Sequence, residues 1–152
     1  MNFAQTFRNG AIILDIKGTT KKVVIAEMID ALVACGRLQS EKRDAALNAV
    51  LERERRMSTG MQFGVAIPHG KSPLLTDFIT AIGMKKDGVE FGSQDGQLCT
   101  IFVMTLSSMT QVAPHMQYLA EISKRLSQPA IRQRLLEAVS EQEVVDIVTA
   151  AP

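Results

Sequence analysis

The sequence predicts a three-layer α/β/α domain, with a mixed central sheet flanked by helices. Three observations predict it. The stretch Leu98–Leu106 is apolar almost throughout, as a central strand covered on both faces requires. Segments of helical periodicity lie on both sides of the strand-like segments, in an order neither strictly alternating nor purely antiparallel. The chain has 152 residues, 46% hydrophobic and 22% charged, which suits one soluble globular domain spanning residues 1–152.

Ala11–Leu14 is a short apolar run ahead of Gly18 and reads as the first strand. From Lys21 to Ala34, the residues Val24, Ile25, Met28, Ile29 and Leu32 recur at helical spacing, and Gly36 closes the segment. Ser40 is the expected N-cap of a second helix running toward Arg56, with Ala45, Leu47, Val50 and Leu51 on its apolar side. That helix ends in Glu52-Arg53-Glu54-Arg55-Arg56. Such a run ordinarily forms a solvated face, and most of it is read that way. Strands are expected at Val65–Pro68, Ile79–Met84 and Leu98–Leu106, with turns at Lys85-Lys86-Asp87-Gly88 and Gln94-Asp95-Gly96.

Three helices complete the chain. Pro114 suits the first turn of one that continues through Met116, Leu119, Ile122 and Leu126. Pro129 opens the next, and Ser140-Glu141-Gln142-Glu143 forms a capping box for the last, which buries Val144, Ile147 and Val148. The eight methionines fall mostly at apolar positions and read as core filler.

The bulk properties exclude several classes. A net charge of +1, from 17 basic and 16 acidic residues, gives no electrostatic footprint for nucleic acid. Trp is absent and Tyr118 is the only tyrosine, so a platform for stacking bases is not expected. Cys35 and Cys99 sit in apolar contexts and read as buried free thiols in a reducing compartment. The N-terminal residues show no signal-peptide pattern, and Leu98–Leu106 is too short to span a bilayer. A soluble, cytoplasmic protein without direct membrane insertion is expected.

The chemistry concentrates on the two histidines. His69 follows the strand-like Gly64-Val65-Ala66-Ile67 within Pro68-His69-Gly70, where Pro68 restricts the backbone and Gly70 permits close approach. An imidazole titrates near neutrality and can act as a nucleophile without a dedicated base. His115 follows Pro114 and is expected in the first turn of a helix, where the macrodipole favours an anion. Arg53 and Arg55, at the end of the second helix, offer permanently charged planar forks suited to phosphate oxygens, and Ser58 and Thr59 add hydroxyl donors. No nucleophile elbow, Lys-bearing phosphate loop or paired carboxylates accompany them. Two histidines without a third ligand make a weak metal site. Phosphoryl transfer through a histidine is the chemistry that suits this set best.

Arg53-Glu54, Ser58-Thr59-Gly60 and Gly64-Val65-Ala66-Ile67-Pro68-His69-Gly70 together resemble the active-site signature of enzyme IIA of the bacterial phosphotransferase system, in its fructose–mannitol–nitrogen type. Phe91, Asp95-Gly96 and His115 follow the same pattern, and the resemblance covers roughly Ile12 to Val148. The chain departs from it at Gln62, where the family usually has glycine, and at Leu106-Ser107-Ser108, where a proline is common.

The resemblance implies a phosphocarrier. His69 would be phosphorylated on Nε2 by a histidine-containing phosphocarrier protein. Arg53 would neutralise the phosphoryl oxygens, and His115 would be the second imidazole. The acceptor would be an enzyme IIB component or a regulated protein, with the nitrogen-regulatory type slightly ahead of fructose-type sugar uptake. No metal or other cofactor is implied. The competing reading is a non-catalytic binding module that keeps the fold without phosphotransfer. Joint retention of His69, Arg53 and His115 speaks against it.

Overall fold

The computed structural model describes residues 2–150, and its centre is strand β5, Cys99–Ser107. All of β5 is buried except Thr100. Strand β4 (Ile79–Val89) runs antiparallel along one side, and β1 (Ala11–Ile13) extends the sheet parallel to β4. Along the other side, β2 (Val65–Ala66) and β3 (His69–Lys71) both run parallel to β5. The sheet is open, and it is mixed as the sequence predicts.

Successive side chains of a strand point to opposite faces, and β5 uses this to bind two helical layers. Phe102, Met104 and Leu106 pack with α2 (Lys21–Ala34) and α3 (Arg43–Arg56) through Val24, Met28 and Val50. Ile101 and Val103 face the other layer, made of α1 (Phe3–Arg8), α4 (Val112–Leu126), α5 (Pro129–Glu137) and α6 (Glu141–Thr149). Each fully buried aliphatic side chain contributes about 1.5–3 kcal/mol, so this alternation stabilises both layers on one strand. Among the described residues no helix is long and apolar enough to cross a membrane.

Several elements differ from expectation. Helix α1 has only six residues, too few to show a periodicity; its Asn2 side chain accepts from the Gln5 N–H at 3.0 Å, and Phe7 anchors it in the core. Strand β4 continues to Val89 through the predicted turn at Lys85–Gly88, because a slip in register after Met84 absorbs those polar residues as a bulge. Ser40 does not cap α3; it opens a short 3₁₀ turn, Ser40–Lys42, and α3 begins at Arg43.

Other corrections concern side chains. Ser140 caps α6 as expected, but the Glu143 carboxylate reaches back to the Val139 N–H, at 3.0 Å, instead of Ser140. Cys35 is exposed at the end of α2, while Cys99 is buried, and both are free thiols. Met28, Met84 and Met104 fill the core, whereas Met57, Met109 and Met116 are exposed.

Candidate functional site

The segment expected as one strand ending in a turn is two short strands with a break between them. Val65 and Ala66 pair with Ile101 and Phe102, and the ladder resumes at His69 opposite Thr105. Pro68 lies in the break because it has no N–H to give a ladder; its carbonyl still accepts from the Thr105 N–H at 3.1 Å. His69 is therefore a strand residue in fixed register, not a turn residue.

The break leaves the Ile67 carbonyl outside the ladder, 2.9 Å from His69 Nδ1. A carbonyl can only accept, so Nδ1 carries the ring proton and Nε2 the free lone pair. Among the described residues Nε2 has no protein partner and no buried side-chain nitrogen or oxygen lacks one, so Nε2 is open to solvent.

The two helical layers meet at this imidazole. From one side, α3 packs directly on β3 because residue 70 is glycine: a Cβ there would stand 2.9 Å from the Val50 nitrogen and 3.0 Å from the Ala49 carbonyl carbon. One turn beyond Ala49, Arg53 shares with His69 a cleft of about 420 Å³, also lined by Glu52, Arg56, Lys71 and Met109. The Arg53 Nη1 donates to the Met57 carbonyl at 2.7 Å, which ties the guanidinium to the loop after α3.

From the other side comes His115. Helix α4 starts two residues before Pro114, so His115 completes its first turn, and its backbone N–H already donates to the Gln111 carbonyl at 3.1 Å. It brings a buried side chain, not a free helix end. The ring stands 5.2 Å from that of His69, centroid to centroid, with an interplanar angle of 67°. Its Nδ1 lies 2.9 Å from Ser107 Oγ and its Nε2 3.4 Å from Thr105 Oγ1. Phe78 closes the far side, edge-on at 5.7 Å.

Burial pushes the His69 pKa below its ordinary value; the Arg53 and Lys71 charges push the same way, while the Ile67 hydrogen bond and the Glu54 charge oppose them. His115 is held down to about 4, chiefly by burial and then by the charges of His69 and Lys71. Both rings are accordingly neutral at pH 7.

The fold brings two of the candidate residues beside His69, Arg53 in the same cleft and His115 ring to ring. Ser58 and Thr59 do not join them. Ser58 Oγ donates to the Phe91 carbonyl at 2.5 Å, and Thr59 Oγ1 donates to a Glu54 carboxylate oxygen at 2.6 Å. Glu54 itself is the exception to the solvated charge run, being only 6% exposed.

Sequence reasoning passes over Lys71, Thr105 and Ser107. Their signal is present: Lys71 is two residues from His69 on the same strand face, and Thr105 and Ser107 are polar positions two apart in an apolar strand. Among the described residues no group of three or more His, Cys, Asp or Glu could hold a metal ion.

Comparison with known proteins follows the same residues. The family described as phosphoenolpyruvate-dependent sugar phosphotransferase system, EIIA 2, matches residues 5–151. The chain belongs to this family. EIIA domains of that system relay phosphoryl groups through a histidine, a transferase-type role. This EIIA 2 chain is 34% identical over 137 residues to the fructose-specific EIIA component of Haloferax volcanii, covering 90% of the chain and 88% of that protein. It is 35% identical over 148 residues to the fructose-specific EIIABC component of Bacillus subtilis, covering 97% of the chain but only 23% of that longer protein. The crystal structure of the nitrogen regulatory protein IIA-Ntr from Neisseria meningitidis matches the EIIA 2 fold with a TM-score of 0.85 at 26% identity, covering 96% of this chain and 98% of that one.

Proposed function

We propose that the chain is a phosphocarrier in which His69 Nε2 accepts a phosphoryl group from a histidine-containing phosphocarrier protein. The observation that carries this reading is the Nδ1–H bond to the Ile67 carbonyl, 2.9 Å long, which leaves Nε2 unprotonated at the cleft shared with Arg53. In the step, the P–N bond of the donor breaks and a P–Nε2 bond forms. The donor imidazole leaves with the electron pair. Exchange between two phosphohistidines is close to isoenergetic, so positioning and fixed charge carry the catalysis. Arg53 and Lys71 offset the phosphoryl charge, and His115 stands beside it as a neutral hydrogen-bonding ring. Ser58 and Thr59, expected as phosphate ligands, hold the loop in this reading.

The acceptor is an EIIB component or a regulated protein. Identity of 34% along most of a fructose-specific EIIA component supports delivery to a sugar-uptake EIIB. The backbone match to IIA-Ntr supports the regulatory reading that the sequence ranks slightly ahead. The relay is proposed to run in the cytoplasm, where phosphoenolpyruvate is available.

Incubation with phosphoenolpyruvate, enzyme I and the phosphocarrier protein, quenched at alkaline pH and read by intact mass, tests the proposal. One acid-labile phosphoryl addition, absent from His69→Ala, is the expected result. Uptake by His69→Ala, or none by the native chain, would overturn it. Adding a fructose-type EIIB then separates the two acceptors, because loss of the label to EIIB is expected only for the sugar-uptake role.

A further inference from the structure

We propose that Glu54 is a positioning residue for His69: its carboxylate, paired with Lys21, fixes the loop that presents the Ile67 carbonyl to the imidazole. The inference rests on the reading of His69 as the phosphoryl acceptor and adds to it the device that keeps Nε2 free.

Three donors converge on this buried carboxylate. The Thr59 N–H reaches Oε1 at 2.9 Å, Thr59 Oγ1 reaches Oε2 at 2.6 Å, and Lys21 Nζ stands 3.0 Å from Oε1. From there the contacts run to the site without a gap. The Thr59 carbonyl accepts from the Ile67 N–H at 3.1 Å, and the Ile67 carbonyl accepts from His69 Nδ1 at 2.9 Å. Meanwhile Arg53, the residue before Glu54, holds the Met57 carbonyl at 2.7 Å. Two adjacent side chains at the end of α3 thus pin two points of one loop. One also faces the cleft, and the other controls the acceptor for the imidazole proton.

Packing alone does not account for a charge here. A buried ion pair is often no more stabilising than apolar residues of the same volume. A carboxylate does what a Leu or Met could not, because both its oxygens accept, and Gln would offer only one. Lys21 is the first residue of α2, so the pair also ties the start of that helix to the site, and its Nζ stands 4.9 Å from the Phe91 ring centroid.

The charged and titratable groups that bear on the His69 ring are Arg53 and Glu54 from α3, Lys71 from β3 and His115 from α4. Glu52 and Arg56 of α3 also line the cleft that His69 shares, and Glu54 is the buried anion among these groups. Removing its charge moves the His69 titration to lower pH, and loosening Thr59 releases the Nδ1 proton to exchange with Nε2.

Imidazole ¹⁵N NMR of the unphosphorylated protein, with phosphoryl acceptance kinetics alongside, tests this in Glu54→Gln and Glu54→Asp. Glu54→Gln should raise the population protonated at Nε2, lower the His69 titration midpoint and slow acceptance about tenfold to a hundredfold. Glu54→Asp keeps the charge, so its midpoint should stay near the native one and part of the rate should return. A Glu54→Gln protein with the native tautomer and midpoint would overturn the inference, whatever its rate. Should that variant not fold, Thr59→Val deletes one contact and keeps the charge; an unchanged His69 spectrum there overturns it equally. The NMR measurement needs no phosphate, so failure of the native chain to accept a phosphoryl group would defeat the relay reading while this inference was decided separately.

Discussion

Thr105 joins His69 and His115 by two different means. Its backbone is the register partner of His69 in the β3–β5 ladder, and its hydroxyl lies 3.4 Å from His115 Nε2. One residue of the central strand therefore fixes where both rings stand, and with Ser107 it surrounds the second ring with hydroxyls. The distance between the rings is set by strand geometry and by the packing of α4, not by any local feature of either histidine.

The buried state of His115 has a consequence for stability. Its pKa falls from an ordinary 6.5 to about 4, so between those pH values the unfolded chain binds a proton that the folded chain refuses. Stability is therefore full above pH 6.5, declines as pH falls through that window, and levels off below about 4; the shift corresponds to about 3 kcal/mol. His69, also lowered, adds in the same direction. Urea denaturation at pH 7 and at pH 4.5 measures the loss, and His115→Gln should show less of it. Identical pH dependence in both proteins would refute the assignment.

Arg53 acts on the ring as well as on the cleft. A cation nearby disfavours the imidazolium, so Arg53→Met should raise the His69 pKa toward its ordinary value. Acceptance should fall by about a hundredfold, as when a fixed donor to a developing charge is lost. Arg53→Lys restores the charge without the planar fork and should lie between the two. NMR titration of His69 beside acceptance kinetics checks both effects. A pKa that falls in Arg53→Met would sink the electrostatic part.

Gly70 is needed for its missing side chain. In Gly70→Ala the new Cβ would meet the α3 backbone at 2.9–3.0 Å, and backbone cannot rotate away. Overpacking of this kind costs about 1–3 kcal/mol and would push α3, with Arg53, off the cleft. The urea midpoint should drop and phosphoryl acceptance should weaken together. A variant of native stability and native acceptance would show that α3 does not need the close approach.

Much of the fold is legible in the sequence because its elements carry their own signals. The repeat of Val24, Met28 and Leu32 specifies α2, Pro129 starts α5, and Ser140 caps α6, each within a few residues. The apolar run Leu98–Leu106 matches the central strand to within one residue at each end. What escaped depends on partners distant in sequence. The Lys85–Gly88 stretch has the composition of a turn, and the pairing of Met84 and Val89 with β5 on either side of it carries β4 through. Glu54 looks like one more charge in a solvated run until Thr59 and Lys21 are seen to close over it.

The same division holds for the candidate site. The sequence by itself determined the sheet with its two helical layers and, through the joint motif from Arg53 to Gly70, the resemblance to the family; it also singled out His69, His115 and Arg53 as candidates, since periodicity and motifs are properties of short segments. Only the tertiary structure decided that His69 is a strand residue with Nδ1 on the Ile67 carbonyl, that Ser58 and Thr59 are turned away from the cleft, and that a buried Glu54 holds the loop. Those facts come from packing α3 and α4 against opposite faces of one strand. A hydrogen bond or buried charge is favourable only once its distant partners have arrived, and no short segment records that arrival.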